Sequence, residues 1–196
     1  MIRYFENILK MIDRSVHSLD SGRFEQLVTE AADTIEAGHQ VIVSGLGKNV
    51  PVCDKFVGTM HSLGQPASYM NTNSATHGDI GMVHEADLVI LLTKSGETEE
   101  SIYLTKLLKE RGCNLWLLSF EENSTLTREI GKCIILKLEH EGDLWNVVPN
   151  NSTTVNLVIL QGLAMEVAKR RGVTLGDFKK NHPGGHIGEM LRDAGK

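Results

Sequence analysis

Five short apolar runs recur along the chain, and they limit its fold more than any other feature. They read VIVSG (41–45), ASYM (67–70), LVILLT (88–93), LWLLSF (115–120) and CIILKL (133–138). Most lack the polar alternation of a half-wetted strand, so they predict strands buried on both faces. Helix-like stretches separate them. One begins near Asn49 and ends at Leu63-Gly64, where the glycine suits a C-cap; another, at 97–112, carries Ile102, Leu104, Leu107 and Leu108 at helical spacing. Strand alternating with helix implies right-handed crossovers and a mostly parallel sheet covered on both sides.

Two helices, at about 2–19 and 22–38, precede the first run, and a long one from Ser152 to about Arg171 follows the polar segment 139–151. Ser152 is the expected N-cap of that helix. The 196 residues contain no repeat or linker-like tract, so the expectation is one domain, with N-terminal helices over 1–38 and a core with C-terminal helices over 39–192.

In such sheets ligands bind beyond the carboxyl ends of the strands, near the point where strand order reverses. The first run ends in SGLGKN (44–49) and the third in TKSGET (93–98), and each leads into a helix. Glycine permits close backbone approach, and free amides with the dipole at a helix start favour an anion. Ser44, Thr93, Ser95 and Thr98 add neutral donors. Alone, each loop reads as ordinary helix capping; two of them on one sheet edge point to a phosphate. GLGKN matches neither the dinucleotide fingerprint nor the P-loop, which argues against a nucleotide-dependent enzyme.

Glu97, Glu99 and Glu100 follow the second loop. Complementing the helix dipole accounts for Glu97 and Glu99. A carboxylate facing the ligand would be repelled by phosphate and is better suited to the carbon skeleton, for example to removing a proton beside a carbonyl. Three more polar, glycine-containing segments stand out: SATHGDIGM (74–82) with His77 and Asp79, EHEGD (139–143), and KNHPGGHIGEML (180–191) with His182 and His186. The intervening Pro-Gly-Gly argues against a helical His182/His186 metal pair, so no metal is expected.

Acidic residues outnumber basic ones by 25 to 20 without a basic block, so no nucleic-acid partner is expected. No run approaches the roughly 18 apolar residues of a membrane span. The N-terminus lacks a signal-peptide pattern, and Cys53, Cys113 and Cys133 are widely spaced in apolar contexts. Reduced thiols in a cytoplasmic protein without a membrane partner are the expectation.

The blocks GLGK, HGDIGMV, SGETEE, NSTT before a long apolar helix, and HPGGHIG occur in one order along residues 20 to 192. Together they resemble the sugar isomerase (SIS) domain family, most closely its arabinose 5-phosphate isomerase branch. The resemblance implies a three-layer αβα sandwich around a five-stranded parallel sheet with flavodoxin-like winding. It also implies a small phosphorylated sugar as ligand, and homodimers or homotetramers with shared active sites.

Carried over by residue, the resemblance implies that Ser95 and Thr98 hold phosphate, with Ser44, Gly45, Gly47, Asn49 and Thr93 beside them. Lys48 would line the sugar site and steady an enediolate. Glu100, Glu141 and His182 would be acid–base candidates, with His77 completing the set and His182 reaching a neighbouring subunit's site. Aldose–ketose isomerisation through such an enediolate requires no cofactor. The chain departs from the pattern at Asn49, Ser74 and Lys94, and in the EGDLWNVVPN stretch. The CBS modules that often follow the domain have no counterpart before Lys196, so a lone domain is expected. A phosphosugar sensor without turnover and a 6-phospho-3-hexuloisomerase are the alternatives.

Overall fold

The computed structural model describes residues 1–193; the last three positions of the expected 1–196 domain lie outside the described residues. Two helices, α1 (Ile2–His17) and α2 (Ser21–Glu36), lead into β1 (Val41–Gly45) and α3 (Val50–Ser62). Then come β2 (Ala67–Asn71), the single turn α4 (Thr72–Ala75), β3 (Leu88–Leu92), α5 (Glu99–Glu110) and β4 (Asn114–Ser119). The chain continues through α6 (Thr125–Ile130), β5 (Cys133–Ile135), α7 (Asn151–Arg170), α8 (Leu175–Asn181) and α9 (Gly185–Asp193).

The strands form one parallel sheet in the order β2-β1-β3-β4-β5, the expected flavodoxin-like winding. Every residue of β1 and β3 is buried, which is why both are apolar on both faces. Period-2 alternation sends Val41, Val43, Leu88, Ile90, Leu92 and Trp116 to one core, packed with residues of α2, α3 and α7. Ile42, Val89, Leu91 and Leu117 face the other, packed with residues of α5 and α6. Strand order reverses between β1 and β3, whose ends lie level, with Gly45 opposite Leu92.

Two expected boundaries move. The fifth apolar run pairs only over Cys133–Ile135: Leu136 N makes the last bond to β4, donating to Ser119 O, and Lys137 N turns away to donate to Ser18 Oγ at 2.9 Å. Ser152 is not the cap of α7, which already begins at Asn151. Glu141 fulfils the capping role instead, its Oε2 accepting from Asn150 N at 3.0 Å and Ser152 N at 2.9 Å. A carboxylate is a stronger partner for a helix start than a serine hydroxyl.

Cys53 is buried and Cys113 and Cys133 are half-buried, and burial pushes the Cys53 thiol up to about 12. Among the described residues no helix is long and apolar enough to cross a membrane.

Candidate active site

A cleft of about 250 Å³ opens at the β1/β3 reversal. Its walls come from the turn Gly47–Asn49 after β1, the loop 93–98 after β3, and the first turns of α5 and α7. The starts of α3, α5 and α7 therefore converge on one volume; α3 and α5 bring amides that lack intrahelical acceptors, while Glu141 takes those of Asn150, Asn151 and Ser152 at the start of α7. Lys48 and Lys94 line the cleft, and among the described residues no carboxylate does. The arrangement suits an anion of the size of a phosphate.

Of the expected binding residues, Gly47, Asn49, Thr93, Ser95 and Thr98 meet in this cleft, as does Lys48. The capping alternative fails for Thr98. It occupies the N-cap position of α5, but its side chain makes no capping hydrogen bond and stays available to the cleft. The loop is braced from within: Gly96 N donates to Thr93 Oγ1 at 3.1 Å, and Glu97 N donates to Ser95 Oγ at 3.3 Å. Glu97 in turn accepts from Thr125 N at 2.8 Å, and that bond holds its carboxyl below the ordinary range. Gly96 adopts φ +68°, and a Cβ there would overlap Ser124 Oγ.

Ser44 and Gly45 are corrected. Ser44 is buried on the far face of β1, with Oγ 2.9 Å from Thr72 Oγ1, and does not line the cleft. Gly45 is a packing glycine: an added Cβ would lie 2.9 Å from Asn49 Cβ and 3.3 Å from Leu92 Cβ. Strand parity turns the Ser44 side chain away from the cleft, while Gly45 is bare backbone packed against two of its lining residues, Asn49 and Leu92.

The acid–base candidates are dispersed. Glu141 is fully buried below the cleft wall, where Oε1 meets Lys94 Nζ at 2.7 Å and accepts from Ser152 Oγ at 2.8 Å. Burial pushes its pKa up, but the Lys94, Ser152 and Asn150 hydrogen bonds outweigh that and leave it below the ordinary value. Glu100 sits exposed on the first turn of α5, outside the cleft lining and without a hydrogen-bond partner among the described residues. His77 is exposed after β2, on the same sheet edge.

His182 stacks on Phe178 at 3.9 Å, and the neighbouring Asn181 donates to Ser62 O at 3.2 Å. Ser62 ends α3, whose 13 residues run from the cleft edge toward the other rim, about 20 Å away. His182 and His186 are separated by the Pro-Gly-Gly turn that ends α8 and precedes α9. Among the described residues no group of three or more potential ligands could hold a metal ion.

Sequence reading missed Ser101, Ser152, Thr153 and Asn156, all in the cleft wall. Asn156 Nδ2 donates to Asn49 Oδ1 at 3.0 Å, while its own Oδ1 is buried with no partner among the described residues. A signal existed: Ser152 and Asn156 are polar residues at i and i+4 in a helix face otherwise filled by Val155, Ile159 and Leu160.

Residues 35–165 match the SIS domain family. The chain belongs to that family. Among relatives of this SIS domain is the arabinose 5-phosphate isomerase KpsF of Escherichia coli, 35% identical over 173 residues, covering 88% of this chain and 54% of KpsF. The arabinose 5-phosphate isomerase KdsD of Pseudomonas aeruginosa is 34% identical over 163 residues, covering 83% and 50%. The chain thus spans about half the length of the curated relatives it matches. Among solved SIS-like structures, that of an E. coli protein in complex with arabinose 5-phosphate superposes with a TM-score of 0.84. It is 28% identical and covers 92% of this chain and 94% of that one.

Proposed function

We propose that the chain is a phosphosugar aldose–ketose isomerase of the arabinose 5-phosphate isomerase type, acting by proton transfer through an enediolate. One observation carries this reading: a cleft free of carboxylates, ringed by three helix starts, two lysines and the hydroxyls of Thr93, Ser95, Thr98 and Ser101. Phosphate would sit on the 93–98 loop and the α5 start, placing the sugar toward Lys48 and Asn49. The Lys48 ammonium would then stabilise negative charge as it develops on the enediolate oxygen.

Glu100 and His182 supply acid–base groups that the cleft itself lacks. Because His182 belongs to the opposite rim, it would serve the cleft of a second copy, giving a homodimer or homotetramer with shared sites. His77, exposed after β2, would stand beside the same junction. The scheme draws on no redox cofactor or metal. The relatives' names and the structure with arabinose 5-phosphate bound support a five-carbon phosphosugar, and a cytoplasmic setting fits the free thiols.

The test is isotope exchange. With arabinose 5-phosphate or ribulose 5-phosphate in deuterated water, label should enter the carbon beside the carbonyl. Absence of label with any pentose or hexose phosphate would refute isomerisation. Glu100→Gln should lower turnover by about 10²–10⁴-fold while ligand still binds. A sensor without turnover would show no such loss.

A further inference from the structure

We infer that Lys94 is a second phosphate-binding cation of the cleft, and that Glu141 is the positioning residue that holds it there rather than a group that moves a proton. The inference rests on the phosphosugar reading and deepens it.

Lys94 stands between Thr93 and Ser95, within the loop that would grip the phosphate, and it lines the cleft. An ammonium has three donors. One goes to Glu141 Oε1, leaving two for a ligand. Lys94 is about half exposed, so its charge can be reached by solute, whereas its partner has no exposed surface at all.

Glu141 is saturated. Oε1 takes Lys94 Nζ and Ser152 Oγ; Oε2 takes the amides of Asn150 and Ser152. Four donors fill the roughly four lone-pair positions of a carboxylate. A general base needs a free lone pair within reach of the proton it removes, and here none remains. What the carboxylate does instead is mechanical: it ties the loop after β3 to the first turn of α7, joining two walls of the cleft through one group.

The charge pattern points the same way. A lysine in the proposed phosphate loop whose paired carboxylate is buried presents positive charge outward. With Lys48 on the facing turn, the cleft holds a cation on each side of the proposed phosphate position.

Binding of inorganic phosphate separates the two roles, because it involves no chemistry. Titration calorimetry on the full chain should show phosphate affinity falling about 10- to 100-fold in Glu141→Gln and in the charge-free double variant Lys94→Met/Glu141→Gln. The two losses should be similar rather than multiplicative, since both act through one ammonium. Lys94→Arg, which keeps the charge and the pair, should retain most of the affinity. With arabinose 5-phosphate as substrate, Glu141→Gln should raise KM more than it lowers kcat and leave the acid limb of the kcat profile in place.

Unchanged phosphate affinity in Glu141→Gln, with turnover lost and that limb abolished, would overturn the inference and make Glu141 the base. Should the variants fold poorly, ¹³C-methylated wild-type protein offers a second readout: the Lys94 signal, assigned by its absence in Lys94→Arg, should shift on phosphate titration. A static signal would also overturn it. Wild-type protein that neither binds phosphate nor turns over any phosphosugar would refute the broader reading instead.

Discussion

Replacing Gly96 with alanine should lower the melting temperature by about 5–20 °C and abolish phosphate binding in the cleft. Gly96 adopts φ +68°, in the left-handed region that a Cβ disfavours by about 1–2 kcal/mol. The added carbon would also overlap Ser124 Oγ and fall 2.5 Å from Ser124 Cβ. Ser124 cannot yield cheaply, because it is buried and caps α6 in a reciprocal box with Thr127. Overpacking of this kind adds about 1–3 kcal/mol. Relief would come by moving residues 95–98, which belong to the proposed phosphate loop. Thermal melts and phosphate titration check both halves, and a variant melting and binding like the wild type would refute this account of the loop.

Glu30→Ala should cost about 3 kcal/mol at neutral pH, and the deficit should shrink in acid. Glu30 Oε2 accepts from Asn114 Nδ2 at 2.7 Å, Trp116 Nε1 at 2.8 Å and Lys132 Nζ at 2.9 Å, binding α2 to β4 and the entry to β5. Burial pushes its pKa up, but these bonds overcome that and bring it from 4.5 down to about 2. A depressed carboxyl stabilises the fold above its unfolded pKa, and the contribution is lost as pH falls through the folded one. The wild-type advantage should therefore be complete above about pH 5 and decline between about 4.5 and 2. Urea denaturation of both proteins from pH 7 to 3 measures the difference. A gap that stays constant across that range would refute the assignment.

The sheet could be read from sequence because β1, β3 and β4 are buried on both faces and their apolar runs compete with no other pattern. The fifth run was overextended for the opposite reason. Leu136 and Leu138 look like strand, but the ladder closes with the Leu136 amide, and the next amide, of Lys137, bonds to Ser18 Oγ. In the site, loops were legible and side-chain direction was not. Ser44 and Gly45 lie one residue apart and face opposite sides, a matter of parity that a loop motif does not reveal. Glu141 was found as a residue, but its donors combine Lys94 of a distant loop with Asn150 and Ser152 at the start of α7, so its saturation could be seen only in three dimensions. Asn156 was hidden in a helix recognised by its apolar face.

The level ends of β1 and β3 bear on how such a cleft can diversify. Its two gripping loops hang from adjacent strands about 4.8 Å apart, a spacing dictated by backbone hydrogen bonding and indifferent to which side chains are present. Drift at Lys48, Asn49, Lys94 or Asn156 can therefore reshape the cleft while the two loops stay where they are. New specificities can accumulate one substitution at a time, without rebuilding the scaffold beneath them.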